Sequence, residues 1–260
     1  MNFVRDRVAL VTGGASGIGL AVTRKLLENG IKGISIVDVS EESAKKILAV
    51  LQEQYGQRVI FIKADVTLED ELKNAFETTI FHFKNLDIVF NNAGIANEIE
   101  WEKTVAVNLT AVMRGTYLAL NTYLPKYKSG TEGLIVNTAS ILGLEVVQNA
   151  PAYCATKHGV VGLGKALGDE NIYLKNQIRI VTVCPGLVDT SLLASLRTEN
   201  EAALKQELNE LSKVISSVDY VANSIFQIIN EGKHGTVWVV EEEKTPYEVH
   251  FPKRLEMKKV

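Results

Sequence analysis

Short apolar runs, rich in valine and isoleucine, alternate along the chain with longer stretches in which apolar residues recur at helical spacing. Nearly continuous apolar strands are typical of parallel sheets that are covered on both faces. The pattern therefore predicts an α/β fold with a doubly wound parallel sheet built from successive βαβ units. Seven strands are predicted, at Val8–Thr12, Ile34–Asp38, Val59–Lys63, Ile88–Asn91, Gly133–Thr138, Ile178–Cys184 and Thr236–Val240.

The stretches between these strands have helical periodicity, and some end at glycines suited to stop a helix. Helices are predicted at Gly17–Asn29, Glu41–Tyr55, Glu69–Phe83, Glu100–Lys128, Ala152–Leu174 and Val218–Glu231. A further leucine-rich stretch, Thr190–Val214, also has helical period. We interpret residues 188–215 either as a helical lid over an apolar substrate pocket or as ordinary core packing.

Size and charge narrow the class of protein. The chain has 260 residues, of which 46% are apolar and 23% charged, which predicts a single domain over residues 1–260. A net charge of −3 gives no field that would attract nucleic acid or a membrane surface, so a small-molecule partner is expected. No apolar stretch approaches the ~18 residues that a membrane helix needs, and a cytoplasmic location is expected.

Two minor features complete the composition. Residues 241–260 mix an acidic run with basic residues and are expected to form a solvated C-terminal tail. Cys154 and Cys184 are too few for a disulfide framework or a zinc site, and the four histidines are scattered, so no metal is expected.

A glycine-rich segment follows the first predicted strand and opens the first helix. It runs from Thr12 to Gly19 and places glycines at positions 13, 17 and 19. Glycine permits a tight turn and a close approach of backbone N–H groups to a diphosphate at a helix N-terminus. This position predicts a dinucleotide site, although any tight strand-to-helix corner would also favour glycine.

Asp38 ends the second predicted strand and indicates which dinucleotide binds. A carboxylate at this point can accept hydrogen bonds from an adenosine ribose and would repel a 2′-phosphate. Gly14, Ala15 and Val39 provide no basic side chain to compensate. NAD is therefore preferred over NADP, with the alternative that Asp38 simply begins the turn towards Ser40.

Several candidate functional residues lie at the carboxyl edge of the predicted sheet, where ligands of open α/β folds bind. Tyr153 and Lys157 are four residues apart on a predicted helix and so share one face. Ser140 follows the fifth strand, the segment Asn91–Gly94 follows the fourth, and Pro185 follows the sixth. Convergence at one edge is hard to explain by packing alone.

Taken together and in this order, these motifs resemble the classical short-chain dehydrogenase/reductase family over essentially the whole chain. The resemblance implies a Rossmann-type doubly wound seven-stranded parallel sheet of order 3-2-1-4-5-6-7, with helices on both faces. It also implies a homodimer or homotetramer built on the long fourth and fifth helices. The implied activity is hydride transfer between a nicotinamide and an alcohol or ketone carbon.

The resemblance also assigns roles to residues. Tyr153 is the base in oxidation and the acid in reduction, Ser140 holds the substrate oxygen, and Lys157 grips the nicotinamide ribose. Asn108 completes the catalytic set by positioning a proton-relaying water, Asp65 reads the adenine, and Val188 and Thr190 orient the carboxamide. The implied cofactor residues are Gly13, Ser16, Gly17, Ile18, Gly19, Asp38, Asp65, Val66, Asn91, Asn92, Ala93, Tyr153, Lys157, Pro185, Gly186, Val188 and Thr190.

A free tyrosine, with a pKa of about 10, is too weakly ionised at neutral pH to act as this base. A lysine ammonium one helical turn away and the positive oxidised nicotinamide are both expected to lower the pKa of Tyr153.

Within the family, the segments around Asn92–Thr104 and Tyr153–Gly159 are most similar to the NAD-dependent 15-hydroxyprostaglandin dehydrogenases, and Gly235–Trp238 is similar to insect-type alcohol dehydrogenases. In the prostaglandin enzymes a glutamine three residues before the tyrosine helps to hold the substrate, but Ala150 stands here. A hydrophobic secondary alcohol or ketone is expected, contacted by Ser140, Tyr153, Ile141, Leu187 and Leu192. Other expected pocket residues are Ile95, Leu144, Val147, Leu193 and Leu196.

Two other functions fit the same motifs. One is an NADP-linked carbonyl reductase, against which Asp38 argues. The other is a non-catalytic NAD-sensing scaffold, which would not need Asn108, Ser140, Tyr153 and Lys157 together.

Overall fold

The computed structural model describes residues 2–258 and contains one mixed sheet. Its strands are β1 (Val8–Thr12), β2 (Gly33–Asp38), β3 (Val59–Lys63), β4 (Ile88–Asn91), β5 (Gly133–Thr138), β6 (Ile178–Pro185), β7 (Val237–Val240) and β8 (Tyr247–Glu248). The order is β3-β2-β1-β4-β5-β6-β7-β8, and β1 to β7 pair in parallel. The predicted doubly wound α/β sheet of order 3-2-1-4-5-6-7 is confirmed.

An eighth strand was not predicted and lies in the segment expected to be a solvated tail. β8 pairs antiparallel with β7, with Tyr247 opposite Val239. Beyond it, Val249 and Phe251 pack on an apolar cluster that contains β7 residues, and the Lys165 ammonium lies 3.7 Å from the centroid of the Phe251 ring. A two-residue strand has no periodic pattern for the sequence to reveal. Met1 and the last two residues of the predicted tail, Lys259 and Val260, lie outside the described residues.

Helices cover both faces of the sheet. They are α1 (Gly17–Glu28), α2 (Glu41–Tyr55), α3 (Glu69–Phe83), α4 (Trp101–Val105), α5 (Ala111–Leu118), α6 (Leu124–Tyr127), α7 (Pro151–Leu167), α8 (Glu170–Asn176), α9 (Ser191–Ala194), α10 (Glu201–Leu211) and α11 (Val218–Glu231). Two π-helical turns, Ala106–Thr110 and Ala119–Tyr123, join α4, α5 and α6 into one continuous run. That run matches the predicted helix Glu100–Lys128.

The predicted single helix Ala152–Leu174 is wrong, because the chain breaks into α7 and α8. A Cβ on Gly168 would lie 2.3 Å from the Cα of Gly235, so two backbones meet at this point. The Asp169 carboxylate then accepts a hydrogen bond from the backbone N–H of Asn171 and caps α8. The break therefore depends on a neighbour that is distant in sequence.

The leucine-rich segment 188–215 forms two helices, α9 and α10, instead of one. Its base is closed by a parallel bridge, in which Ser216 N–H donates to the Leu187 carbonyl at 2.8 Å. Its middle is attached to the loop after β4 by a second bridge, between Asn97 and Arg197. We call residues 188–215 the lid segment. Across residues 2–258, no helix has both the length and the apolar composition needed to cross a membrane.

Asp87, one residue before β4, ties the start of the sheet together. Its side chain is fully buried and accepts hydrogen bonds from the Val8 backbone N–H at 2.9 Å and from the Ser129 hydroxyl at 2.8 Å. It also pairs with the Arg7 guanidinium at 3.1 Å. A buried carboxylate with several partners is costly to remove, because each partner is left without an acceptor.

We predict that Asp87→Ala lowers the free energy of unfolding by about 3–5 kcal/mol, since the Arg7 guanidinium, the Val8 backbone N–H and the Ser129 hydroxyl lose their acceptor. Urea denaturation measures the loss, and Glu53→Ala, an exposed substitution on α2, is the control. A loss no larger than that of the control would contradict the structural role of Asp87.

Candidate active site

The glycine-rich turn lies between β1 and α1. Gly13 has a φ of 62°, and a Cβ on Gly19 would lie 2.2 Å from the Gly13 carbonyl oxygen. Gly19 therefore serves the close passage of α1 over the turn. Ser16, the N-cap residue of α1, makes no side-chain cap, so it does not block the helix N-terminus.

Two acidic residues stand at the ends of β2 and β3. The Asp38 carboxylate accepts from the Ala15 backbone N–H at 3.1 Å and from the Ser40 backbone N–H at 3.0 Å, which places it against the glycine turn. Asp65 follows β3, and its Oδ1 accepts from the backbone N–H and the hydroxyl of Thr67 at 2.9 and 2.7 Å. Both side chains line the same cavity as the glycine turn.

This cavity has a volume of about 630 Å³ and runs along the carboxyl edge of the parallel strands. Fifteen of the seventeen predicted cofactor residues line it: Gly13, Ser16, Gly17, Ile18, Asp38, Asp65, Val66, Asn92, Ala93, Tyr153, Lys157, Pro185, Gly186, Val188 and Thr190. Gly19 and Asn91 lie outside this lining. Asn91 is buried between strands and donates to Asn137 Oδ1 at 2.9 Å. It therefore links β4 to β5 and does not line the cavity.

Ser140, Tyr153 and Lys157 also line the cavity, and α7 and the end of β5 bring them together. Ser140 lies two residues beyond β5, where its hydroxyl accepts from the Leu142 backbone N–H at 3.1 Å. The Lys157 ammonium donates to the Thr138 carbonyl at 3.0 Å and lies 5.4 Å from the centroid of the Tyr153 ring. One hydrogen bond thus joins the helix carrying the phenol to the strand that precedes the serine.

Burial dominates the ionisation of this group of side chains. Burial raises the pKa of Tyr153 to about 12, although a hydrogen bond with the Ser140 hydroxyl lowers it in part. Burial also lowers the pKa of Lys157 to about 8. In the polypeptide alone, removal of the phenol from water outweighs the hydrogen bond with Ser140. The expected lowering of the Tyr153 pKa by Lys157 together with an oxidised cofactor stays a prediction.

Asn108 is fully buried and lies in the π-helical turn Ala106–Thr110, outside the cavity lining. Its Oδ1 accepts from the Ile95 backbone N–H at 2.9 Å, and its Nδ2 donates to the Ile95 carbonyl at 2.8 Å. The side chain therefore holds the loop after β4, whose residue Ile95 forms part of the cavity wall.

The other half of the cavity is mainly apolar. The predicted substrate residues Ser140, Tyr153, Ile141, Leu187 and Leu192 all line it, as do Ile95, Leu193 and Leu196. Leu144 and Val147 do not. Leu142, Leu204, Leu208 and Glu98 were not predicted as lining residues. The helical spacing of Leu204 and Leu208 was a usable signal, whereas nothing in the sequence pointed to Glu98.

The residues present fit a nicotinamide dinucleotide. Between the glycine turn and the opposite wall at Thr190, a Cβ on Gly17 would reach within 3.3 Å of the threonine side chain, so that glycine keeps the space open. The Asp38 and Asp65 carboxylates lie where β2 and β3 end, and the Tyr153 phenol and the Lys157 ammonium lie where α7 borders the cavity. In residues 2–258, no three metal-ligating side chains converge to hold a metal ion.

Comparisons with known proteins agree with this geometry. The family model for short chain dehydrogenase matches residues 7–201. The chain is 38% identical over 235 residues to 15-hydroxyprostaglandin dehydrogenase [NAD(+)] of Rattus norvegicus, covering 88% of each chain. It is 32% identical over 207 residues to alcohol dehydrogenase 1 of Ceratitis cosyra, covering 80% of each. Both likenesses were predicted from sequence segments.

The fold comparison gives the same family. A short chain dehydrogenase from Burkholderia cenocepacia, solved in complex with NADP, superimposes with a TM-score of 0.77 and 27% identity, covering 92% of this chain and 98% of that chain. The matched length and the sequence identity lead to one conclusion. This chain belongs to the short-chain dehydrogenase family and is a nicotinamide-dependent oxidoreductase acting on CH–OH groups.

Proposed function

We propose that this protein is an NAD-dependent dehydrogenase that interconverts hydrophobic secondary alcohols and ketones. The observation that carries the proposal is the meeting of the Ser140 hydroxyl, the Tyr153 phenol and the Lys157 ammonium at the boundary between a dinucleotide cavity and an apolar cavity wall. A bound nicotinamide would accept the hydride in oxidation and donate it in reduction.

In this proposal the chain's own residues handle the proton. During oxidation the substrate hydroxyl must lose a proton as hydride leaves carbon, so a base has to lie within hydrogen-bond reach. Tyr153 takes that proton, and Ser140 holds the substrate oxygen beside it. Lys157 anchors the ribose while the Thr138 carbonyl keeps its ammonium in place. In reduction Tyr153 returns the proton.

Asn108 has a supporting role in this proposal. It fastens the Ile95 backbone through both ends of its amide and lies within 3.5 Å of the Thr156 hydroxyl, one residue before Lys157. The water relay from Lys157 that the family resemblance implies would run beside this amide. The two buried hydrogen bonds between the Asn108 side chain and the Ile95 backbone support a cavity wall that is rigid at Ile95.

Asp38 supports NAD as the cofactor. Its carboxylate lies at the end of β2 and is bonded to the Ala15 backbone, so a ribose 2′-phosphate would meet a negative charge held close to the turn. The 38% identical rat relative is named for NAD(+), whereas the structural neighbour with 27% identity binds NADP. The choice between the two therefore rests on Asp38.

The apolar lining supports a hydrophobic substrate. Leucines from the lid segment and from the β5–α7 connection form the wall beside Tyr153, and burying apolar surface is the main gain for such a ligand. We do not extend the proposal to prostaglandins, because Ala150 stands where the resemblance places a substrate-holding glutamine in the prostaglandin enzymes. We also propose that residues 188–215 act as a lid over this pocket.

A homodimer or homotetramer is part of the proposal. Met113 and Tyr117 stand one turn apart on α5 and are 36% and 43% exposed, an apolar pair suited to a partner surface. Sedimentation at the monomer mass would contradict it.

We predict that the protein oxidises secondary alcohols from an aliphatic and aromatic panel with NAD, as measured by the absorbance of the reduced cofactor. Tyr153→Phe is expected to lower turnover by about 10²–10⁴-fold, because the proton acceptor is lost. NAD affinity is expected to stay within a few-fold of wild type. Tyr127→Phe, at a partly exposed tyrosine on α6, is the control. Retained turnover in Tyr153→Phe would remove Tyr153 from the mechanism, and an inactive wild type would contradict the proposed function.

We predict that Asp38→Asn lowers the preference for NAD over NADP by about 10–100-fold in kcat/KM, since it removes the charge facing the 2′-phosphate and keeps an acceptor for Ala15. Initial rates with each cofactor measure the ratio. Asp70→Asn, at an exposed position on α3, is the control. An unchanged ratio would make Asp38 a turn residue and reopen the NADP-linked reductase.

We predict that the Tyr153 phenol, whose pKa burial raises to about 12, titrates below its ordinary value of 10.0 once oxidised cofactor adds a positive charge beside it. The tyrosinate absorbance of wild type minus that of Tyr153→Phe, recorded across pH with and without NAD, measures the change. If the same difference curve is obtained under both conditions, the proposed activation of the phenol is wrong.

A further inference from the structure

The catalytic helix α7 does not cap its own N-terminus. Its N-cap residue is Ala150, which makes no side-chain cap, and Pro151 follows at the first helical position. The next two backbone N–H groups belong to Ala152 and to Tyr153 itself. Unpaired donors at a helix start cost stability unless another group accepts from them.

Both donors are satisfied by one carboxylate from a distant element. Glu98 Oε2 accepts from the Ala152 N–H at 2.9 Å, and Glu98 Oε1 accepts from the Tyr153 N–H at 2.8 Å, across 54 and 55 residues of sequence. Glu98 lies in the loop after β4 and lines the substrate cavity. A negative charge at this point also suits the positive end of the helix dipole.

The backbone of Glu98 is joined at the same time to the lid segment. The Glu98 N–H donates to the Arg197 carbonyl at 2.8 Å, and the Arg197 N–H donates to the Ala96 carbonyl at 3.1 Å. Glu98 therefore touches the lid through its backbone and the catalytic helix through its side chain.

A second carboxylate joins the lid to the residue just before α7. Glu207, on the lid helix α10, accepts from the backbone N–H and the side-chain amide of Asn149 at 3.1 and 2.8 Å. The Thr198 hydroxyl of the lid donates to the Asn149 carbonyl at 3.0 Å. The lid thus holds the start of α7 from two sides, through Glu98 and through Asn149.

We propose that Glu98 is a positioning residue that couples docking of the lid to the placement of the Tyr153 phenol, with Glu207 as the second attachment of the same helix end. The inference rests on the proposed function, since it assigns the phenol a proton-transfer task. A docked lid keeps the first turn of α7 in register, and Tyr153 is a member of that turn. Misplacing a catalytic group by about 1 Å can cost on the order of 10²-fold in rate.

The test measures kcat/KM for a secondary alcohol, NAD affinity and melting temperature for Glu98→Ala and Glu98→Gln. We expect Glu98→Ala to lower kcat/KM by about 10–100-fold. Glu98→Gln is expected to lower it less, because one amide oxygen can still accept from the helix. NAD affinity should fall much less than kcat/KM, because the glycine turn and Asp38 lie on other elements and the Lys157 ammonium, one turn further along α7, is held by the Thr138 carbonyl. Glu102→Gln, at an exposed position on α4, is the control.

An isotope effect and a double-mutant cycle separate positioning from simple helix capping. With alcohol deuterated at the carbinol carbon, the isotope effect on kcat should rise in Glu98→Ala, because hydride transfer becomes more rate-limiting. Glu207→Gln should also lower kcat/KM, and the double variant with Glu98→Gln should lose less than the product of the single losses, since both groups hold one helix end. Glu210→Gln, on the same lid helix, is the control.

Three results would overturn the inference. A pure capping role would lower the melting temperature by about 2–4 °C and leave kcat/KM within twofold of wild type. Multiplicative losses in the double variant would show that the two carboxylates act independently. An inactive wild type would remove the proposed function and this inference with it, whereas an active wild type with unaffected Glu98 variants would remove this inference alone.

Discussion

The hydrogen bond from the Lys157 ammonium to the Thr138 carbonyl is the interaction on which the arrangement of the site depends. Thr138 is the last residue of β5, and Ser140 follows two residues later, so this bond sets the position of α7 relative to the serine. Taking the ammonium out of water is costly, which is why burial lowers its pKa to about 8. This cost arises where the Lys157 ammonium, the Tyr153 phenol and the Ser140 hydroxyl lie together in the cavity.

The same burial acts on the phenol of Tyr153, whose protonated form it favours. A pKa of about 12 leaves Tyr153 protonated at neutral pH, so its own environment does not make it a base. In the proposed mechanism the additional positive charge arrives with the oxidised cofactor, which ties the ionisation of the phenol to a loaded site. The chain's contribution is then to hold the oxygen atoms in place and to exclude water.

Holding those atoms involves parts of the molecule that do not touch the reacting groups. Asn108 fastens the loop after β4 at Ile95, and three residues later Glu98 in that loop meets the start of α7. The lid segment contacts this loop at Arg197 and the approach to α7 at Asn149. These contacts link the apolar wall of the cavity to the helix that carries the proposed base.

Periodicity and motif order were sufficient for most of the fold, because apolar spacing and glycine turns are local properties of the chain. They predicted the seven parallel strands, and they named the residues that the structure brings to one cavity, including Gly13, Asp38, Ser140 and Tyr153. They did not reveal the break at Gly168, the short strand β8 or the division of residues 188–215 into α9 and α10.

The features that only the tertiary structure decided share one cause. Gly168 meets Gly235, Glu98 meets two backbone N–H groups of α7, and Leu142 faces the cavity beside leucines of the lid. Each is a contact between segments far apart in sequence. Because nearly every residue has a backbone N–H, the sequence does not indicate which side chain will accept a hydrogen bond from it. The pKa of Tyr153 belongs to the same group, because burial is a property of the folded surroundings and not of the tyrosine or its neighbours in sequence.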